Sequence, residues 1–174
     1  MIKKYIIIYI LVLSFYSINN NINCNDNSIK KKKNSYNIEE NIKEEYGSII
    51  IDKLNINRPL YDIDNKKNNI EENITILKES IMPDKDNSIL FIAAHSGNSN
   101  ISFFNELNKL ETNDEVIIKY LNKKYIYIVK DIWEEKKNGY INVNKENKKQ
   151  LILTTCSPNK DNYQLIINCI EKES

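Results

Sequence analysis

The chain has 174 residues, room for one domain and an anchor but not for two separate hydrophobic cores. Basic and acidic side chains nearly cancel, leaving a formal net charge of +1. That balance offers no basic face for nucleic acid, so none is expected as a partner. Of the 25 basic residues only Arg58 is an arginine. The skew toward Lys, Asn and Ile reads as an AT-rich genome, and the asparagine runs are not counted as functional signal.

In chain order, Lys3 and Lys4 precede an apolar run from Tyr5 to Ile18, and polarity begins at Asn19. A basic start followed by such a run is a secretory signal. No small-x-small cleavage site follows it, so residues 1–18 are expected to stay as a membrane anchor, with a cleaved signal peptide as the alternative. Asn23 stands where lipid attachment at Cys24 would need a small residue. Lys3 and Lys4 would remain inside, which puts the rest of the chain outside the cell. Residues 19–45, rich in Asn and Lys, read as a solvated spacer.

From residue 46 to 174 the texture changes to short β-branched and aromatic runs separated by polar turns. Strands are predicted at Ser48–Ile51, Ile56–Ile63, Ile74–Leu77, Ser88–Ala94, Glu115–Leu121, Tyr125–Trp133, Gln150–Thr155 and Tyr163–Ile170. Between them, Phe103, Phe104, Leu107 and Leu110 recur at helical spacing. Eight strands with one or two short helices predict a mainly β domain, a closed barrel or a sandwich, because closure removes exposed strand edges.

Three cysteines, Cys24, Cys156 and Cys169, form neither a disulfide framework nor a zinc pattern. Cys156 ends the apolar run Leu151-Ile152-Leu153-Thr154-Thr155, where a rigid strand gives way to an accessible loop. Buried cysteines are common, so a core role is the competing reading there. Cys169, inside the last predicted strand, reads as a core residue. His95, the one histidine, ends another apolar strand in Ala93-Ala94-His95-Ser96-Gly97. Alone it would read as a surface or core residue; with a strand-terminal cysteine it completes the minimal pair for thiol acyl transfer.

These two blocks, Ala94-His95-Ser96-Gly97 and Leu153-Thr154-Thr155-Cys156, resemble the histidine and cysteine motifs of the sortase family. Their separation of 61 residues also fits that family. Ile49-Ile50-Ile51-Asp52-Lys53-Leu54-Asn55-Ile56, Pro59-Leu60-Tyr61 and Ser102-Phe103-Phe104-Asn105-Glu106-Leu107 add supporting similarity, so that the resemblance covers about residues 46–171. It implies a closed eight-stranded β barrel and a membrane-anchored cysteine transpeptidase acting at the cell surface. Its partners would be secreted proteins carrying a Leu-Pro-x-Thr-Gly-like sorting signal. The acyl group would pass to an amine of a cell-wall precursor or to a lysine of another protein, with no cofactor. The lack of an Asp-Pro-aromatic lid segment and of a second apolar segment points to a class A or D layout.

The resemblance implies catalytic roles for Cys156 and His95. It also implies an arginine on the strand after the cysteine loop, where this chain has Gln164 in Tyr163-Gln164-Leu165-Ile166-Ile167. Gln164 is therefore the expected oxyanion or substrate donor, through a neutral amide. Arg58, far upstream, is not expected to replace the arginine. Asp84, Asp86, Glu134 and Glu135 could form a calcium site such as some sortases have, but scattered surface acids is the preferred reading. Two alternatives stay open: a cysteine peptidase that uses water, and a weak homologue that keeps the barrel as a binding module.

Overall fold

The computed structural model describes residues 46–172, together with the backbone of Ile6–Ile7. Eight strands form one sheet: β1 (Gly47–Ile51), β2 (Ile56–Leu60), β3 (Thr75–Ile76), β4 (Ile89–Ala93), β5 (Glu115–Tyr120), β6 (Lys123–Lys136), β7 (Gln150–Cys156) and β8 (Tyr163–Glu171). Each overlaps a strand predicted from the alternating pattern. Their order across the sheet is β2-β1-β5-β6-β8-β7-β4-β3. All neighbours are antiparallel except β4 and β7, which run parallel.

The barrel is nearly closed rather than fully closed, which corrects the sequence expectation. The two end strands, β2 and β3, share no ladder. Side chains bridge the seam instead: Asn73 Nδ2 donates to Pro59 O at 3.2 Å, and Arg58 Nη2 approaches Asn73 Oδ1 at 3.5 Å. Pro59 has no N–H for a ladder, so β2 suits an edge. Asn68 acts as a one-residue strand beside β3. Its amide donates to Ile76 O (2.9 Å) and its carbonyl accepts from Ile76 N (2.8 Å).

The inner faces of the strands build the main core. Ile49, Ile51, Leu90, Ile92, Val116, Ile118, Tyr127, Leu151, Leu153, Leu165 and Ile167 are all buried in it. Cys169 belongs to this core, as expected, and burial pushes its thiol far above the usual cysteine range. The helical spacing at 101–110 is realised as tight turns around a one-turn 3-10 helix, Leu107–Lys109. Bonds from Leu107 N to Phe104 O (3.1 Å) and from Leu110 N to Leu107 O (3.2 Å) set a threefold period. That period lines up Phe104, Leu107 and Leu110 against the core. A second 3-10 turn, Asp52–Leu54, joins β1 to β2.

Asparagine does the work of glycine in the turns. Of the six non-glycine residues with positive φ among the described residues, five are asparagine: Asn55, Asn87, Asn113, Asn122 and Asn162. Its short polar side chain tolerates the left-handed region better than most. Leu121 and Asn122, with φ of 49° and 61°, make the two-residue turn of the β5–β6 hairpin.

Strand β6 carries a bulge that decides the layout of the site. Val129 pairs with Cys169 and Asp131 with Asn168, so Lys130 is the extra residue. Before the bulge the odd residues Tyr125, Tyr127 and Val129 face the core. After it the odd residues pair with Asn168, Ile166 and Gln164, which lie on the outer face of β8. One inserted residue reverses the side-chain phase of everything beyond it.

The expected anchor and spacer, residues 1–45, lie outside the described residues apart from Ile6–Ile7, whose backbone pairs antiparallel with Tyr140–Ile141. Among the described residues no helix is long and apolar enough to cross a membrane.

Candidate active site

The parallel pairing of β4 and β7 brings their C-terminal ends to the same edge of the sheet. The register runs from Ile89 opposite Gln150 to Ala93 opposite Thr154. Continued by two residues, it sets His95 level with Cys156 on adjacent strands, which lie about 4.8 Å apart. Three bonds hold the two ends together. Ala94 N donates to Thr154 O (3.4 Å), Thr155 Oγ1 donates to Ala94 O (2.8 Å), and Ser96 Oγ donates to Cys156 O (3.0 Å).

Along β7 the odd residues Leu151 and Leu153 enter the core, so Cys156 belongs to the outer face with Ile152 and Thr154. Ile152 packs there with Phe91, Ile166 and Ile141 in a second, smaller cluster. Ile141 comes from the β6–β7 connection, which therefore lies over this face. Cys156 is half-buried and its thiol is free.

The side chain of His95 is one-third exposed, and its Nε2 lies 3.3 Å from Glu71 Oε1. Its carbonyl accepts from Phe104 N at 3.0 Å. The chain then turns at Gly97, whose φ of 127° disfavours any side chain, and Gly97 N donates to Asn105 Oδ1 (3.1 Å). Glu71 was not picked out in the sequence, where it reads as one acid among many.

Gln164 sits directly opposite Cys156 in the β7–β8 ladder, and Glu135 sits opposite Gln164 in the β8–β6 ladder. The three side chains thus share one row on the outer face. Gln164 is buried, and its Nε2 donates to Glu135 Oε1 (3.1 Å) and to Tyr140 O (2.9 Å). Those two bonds use both amide protons, so the expected donation toward the reacting centre is not the geometry seen. Glu135 also accepts from Asn142 N and Nδ2, tying the β6–β7 connection to the row.

The polar group in contact with the nucleophile's sulfur is one with no signal in the sequence. Lys137 Nζ lies 2.8 Å from Cys156 Sγ. In the run Glu134-Glu135-Lys136-Lys137 it reads as a solvated charge, and only the bulge at Lys130 puts it on the site face. Arg58, by contrast, stacks on Phe103, 4.1 Å from the ring centroid, at the barrel seam.

The four acids considered for calcium serve other partners or places. Asp84 pairs with Lys85 at 2.9 Å, and Asp86 lines a shallow groove with Lys149 and Lys172. Glu134 accepts from Ser157 Oγ (2.7 Å) and Asn159 Nδ2 (3.3 Å), with Lys160 Nζ at 3.7 Å. Ser157 Oγ in turn accepts from Asn159 N and Lys160 N, each at 3.0 Å, which shapes the loop after Cys156.

The Ser157 hydroxyl, and after it Asn159 and Lys160, outweigh desolvation and hold the Glu134 carboxyl below its ordinary range. A depressed carboxylate contributes order above its unfolded value and loses it as pH falls through the folded one. Protection of the Asn159 and Lys160 amide protons is therefore expected to persist through the ordinary glutamate range and collapse only below it. Hydrogen exchange across an acid series measures this. Protection already lost while free glutamates are still titrating would refute the link.

The Sortase domain family model matches residues 49–171, most of the chain. The chain belongs to the sortase family. Sortases are cysteine transpeptidases, and this one is an enzyme of that general type. Among solved structures it resembles sortase C1 from Streptococcus agalactiae, with 25% identity, a TM-score of 0.63, and 76% of this chain and 69% of that chain covered. Sortase C-1 from Actinomyces oris matches with 20% identity and a TM-score of 0.64, over 76% of this chain and 77% of that one. Sortase A from Corynebacterium diphtheriae matches with 23% identity and a TM-score of 0.62, over 75% of this sortase and 61% of its own length. The similar structures thus include both C-type and A-type sortases, so they do not single out the expected class A or D layout. No curated protein sequence matches the chain.

Proposed function

We propose that this sortase cleaves a Leu-Pro-x-Thr-Gly-like sorting signal through a thioester on Cys156 and transfers the carboxyl side of the cut threonine to an amine. The observation that carries the reading is the parallel β4–β7 register, which sets His95 level with Cys156 at one accessible strand edge. In the first half-reaction Sγ, as the thiolate with its proton on His95, attacks the threonine carbonyl carbon, and a C–S bond forms as the C–N bond breaks. His95 gives a proton to the departing glycine amine. In the second half an incoming amine gives its proton to His95, a C–N bond forms, and the C–S bond breaks to release the Cys156 thiolate. His95 carries the proton in both halves, and the second half returns it to its starting state. The anchor at residues 1–18 would hold the domain at the outer membrane surface, within reach of secreted proteins and cell-wall precursors.

The test is a library of sorting-signal peptides with mass detection on Cys156. The expected result is an adduct equal to the peptide up to its threonine, released by hydroxylamine. Adding a glycine-based or lysine-bearing amine should then convert the adduct to a transfer product. Hydrolysis alone, with no transfer to any amine, would favour the water-using peptidase. The absence of any adduct across the library would defeat the acyl-transfer reading.

A further inference from the structure

We propose that Lys137 is the cationic catalytic residue of this site, its ammonium holding the Cys156 sulfur and the oxyanion that forms beside it. The inference rests on the acyl-transfer reading above, but its central measurement needs no substrate. The contact itself is direct: Nζ stands 2.8 Å from Sγ. Gln164, which occupies the strand position where an arginine was expected, has both amide protons committed to Glu135 and Tyr140. The positive charge at the sulfur comes from the neighbouring strand instead.

The placement is built into the fold. Lys137 lies two residues beyond Glu135, so it shares the outer face with the Cys156–Gln164–Glu135 row. Its backbone N–H donates to Asn162 O at 2.8 Å, one step past the last β6–β8 pair, Lys136 with Tyr163. The side chain therefore springs from a paired backbone and not from a free loop. Without the extra residue at Lys130 the phase would reverse and Lys137 would point to the other face.

The charge is also available. Among the described residues no carboxylate lies within ion-pair distance of Lys137 Nζ. The nearby acids are occupied, Glu135 by Gln164 and Asn142, and Glu134 by Ser157, Asn159 and Lys160. Attack by Sγ moves the carbonyl electron pair onto oxygen, close to the sulfur. An ammonium has three donors and can meet sulfur and oxygen together. It keeps its proton throughout; the proton that leaves with the amine comes from His95.

Lys137 is exposed, so its replacement should leave the fold intact. The decisive measurement is the rate of Cys156 alkylation by iodoacetate relative to iodoacetamide, read by peptide mass mapping on the full chain. The thiolate fraction cancels in this ratio, which leaves the field around the sulfur. Lys137→Met should lower the ratio about fivefold, the effect of one unit charge a few ångströms away in a water-like medium. On a cleaved peptide the same variant should lose about a hundredfold in kcat with KM changed by less than about threefold. Lys137→Arg, which keeps the charge, should restore the ratio and most of kcat.

An unchanged ratio in Lys137→Met would overturn the proposal whether or not any peptide is cleaved. So would a lowered ratio with undiminished kcat, since the ammonium would then sit at the thiol without serving the reaction. If the parent forms no adduct with any peptide and Lys137→Met still lowers the ratio, the acyl-transfer reading falls, and with it the catalytic role, while the ion contact stands.

Discussion

Cys156→Ala is expected to eliminate adduct formation and peptide cleavage altogether, because among the described residues no other thiol stands at the strand end. Cys169 is fully buried in the barrel core, where its thiol is held protonated, so it cannot act in place of Cys156. His95→Ala should cut turnover by about 10³-fold, within the range for losing a positioned proton donor. The two losses should not add, since a nucleophile and its acid–base partner act as a unit. Both variants should fold, because Cys156 is half-buried at a strand end and His95 is partly exposed beyond one. Circular dichroism and thermal melting check the fold, and mass spectrometry checks the adduct. Turnover of a verified peptide by Cys156→Ala would overturn the assignment of the nucleophile. Full activity in His95→Ala would do the same for the proton carrier.

Gly47→Ala should be among the most damaging single-methyl changes to stability. Gly47 opens β1 between Leu60 of β2 and Tyr120 of β5. A Cβ built there would stand 2.3 Å from the backbone oxygen of Lys119, far inside contact distance. The obstacle is main chain in a paired strand and cannot swing aside, so β1 or β5 must shift. Overpacking of this kind costs about 3 kcal/mol, against which the gain from a less flexible unfolded chain offsets under about 1 kcal/mol. A fall in Tm on the order of 10 °C is expected for a domain of this size. Near-ultraviolet circular dichroism of the tyrosines and Trp133 would follow the transition. A melting temperature within about 2 °C of the parent would show that the strands do not approach so closely.

Much of this fold was legible in the sequence because strand formation is decided by local alternation. The eight runs of β-branched and aromatic residues each became a strand, since one face of each had to leave water. The same holds for Cys156 and His95: an apolar strand ending in a reactive side chain can be seen without knowing what lies beside it. The run at 101–110 was legible only in part. Its spacing of apolar residues fits a helical period of 3.6 and also one of 3.0, and the short connection to β5 uses the latter. The asparagines read as compositional bias, yet Asn55, Asn87, Asn113, Asn122 and Asn162 take positive φ values in turns of a chain with only three glycines.

What tertiary structure alone decided is which side chains meet. The sequence by itself determined that a cysteine and a histidine each end a buried strand, 61 residues apart; the parallel pairing of β4 and β7 is what makes them neighbours. Residue spacing likewise placed Gln164 on the strand after the cysteine loop. Its amide is drawn to Glu135 and Tyr140 because the β6–β7 connection folds over the outer face, a contact with no local signature. The bulge at Lys130 is the clearest case. It arises from the mismatch between the Val129–Cys169 and Asp131–Asn168 pairs, a property of two strands and not of either one. An alternation read along β6 alone would send Lys137 to the wrong face. A one-residue slip between hydrogen-bonded strands reverses every side chain beyond it, and so it is the pairing that carries Lys137 to the sulfur.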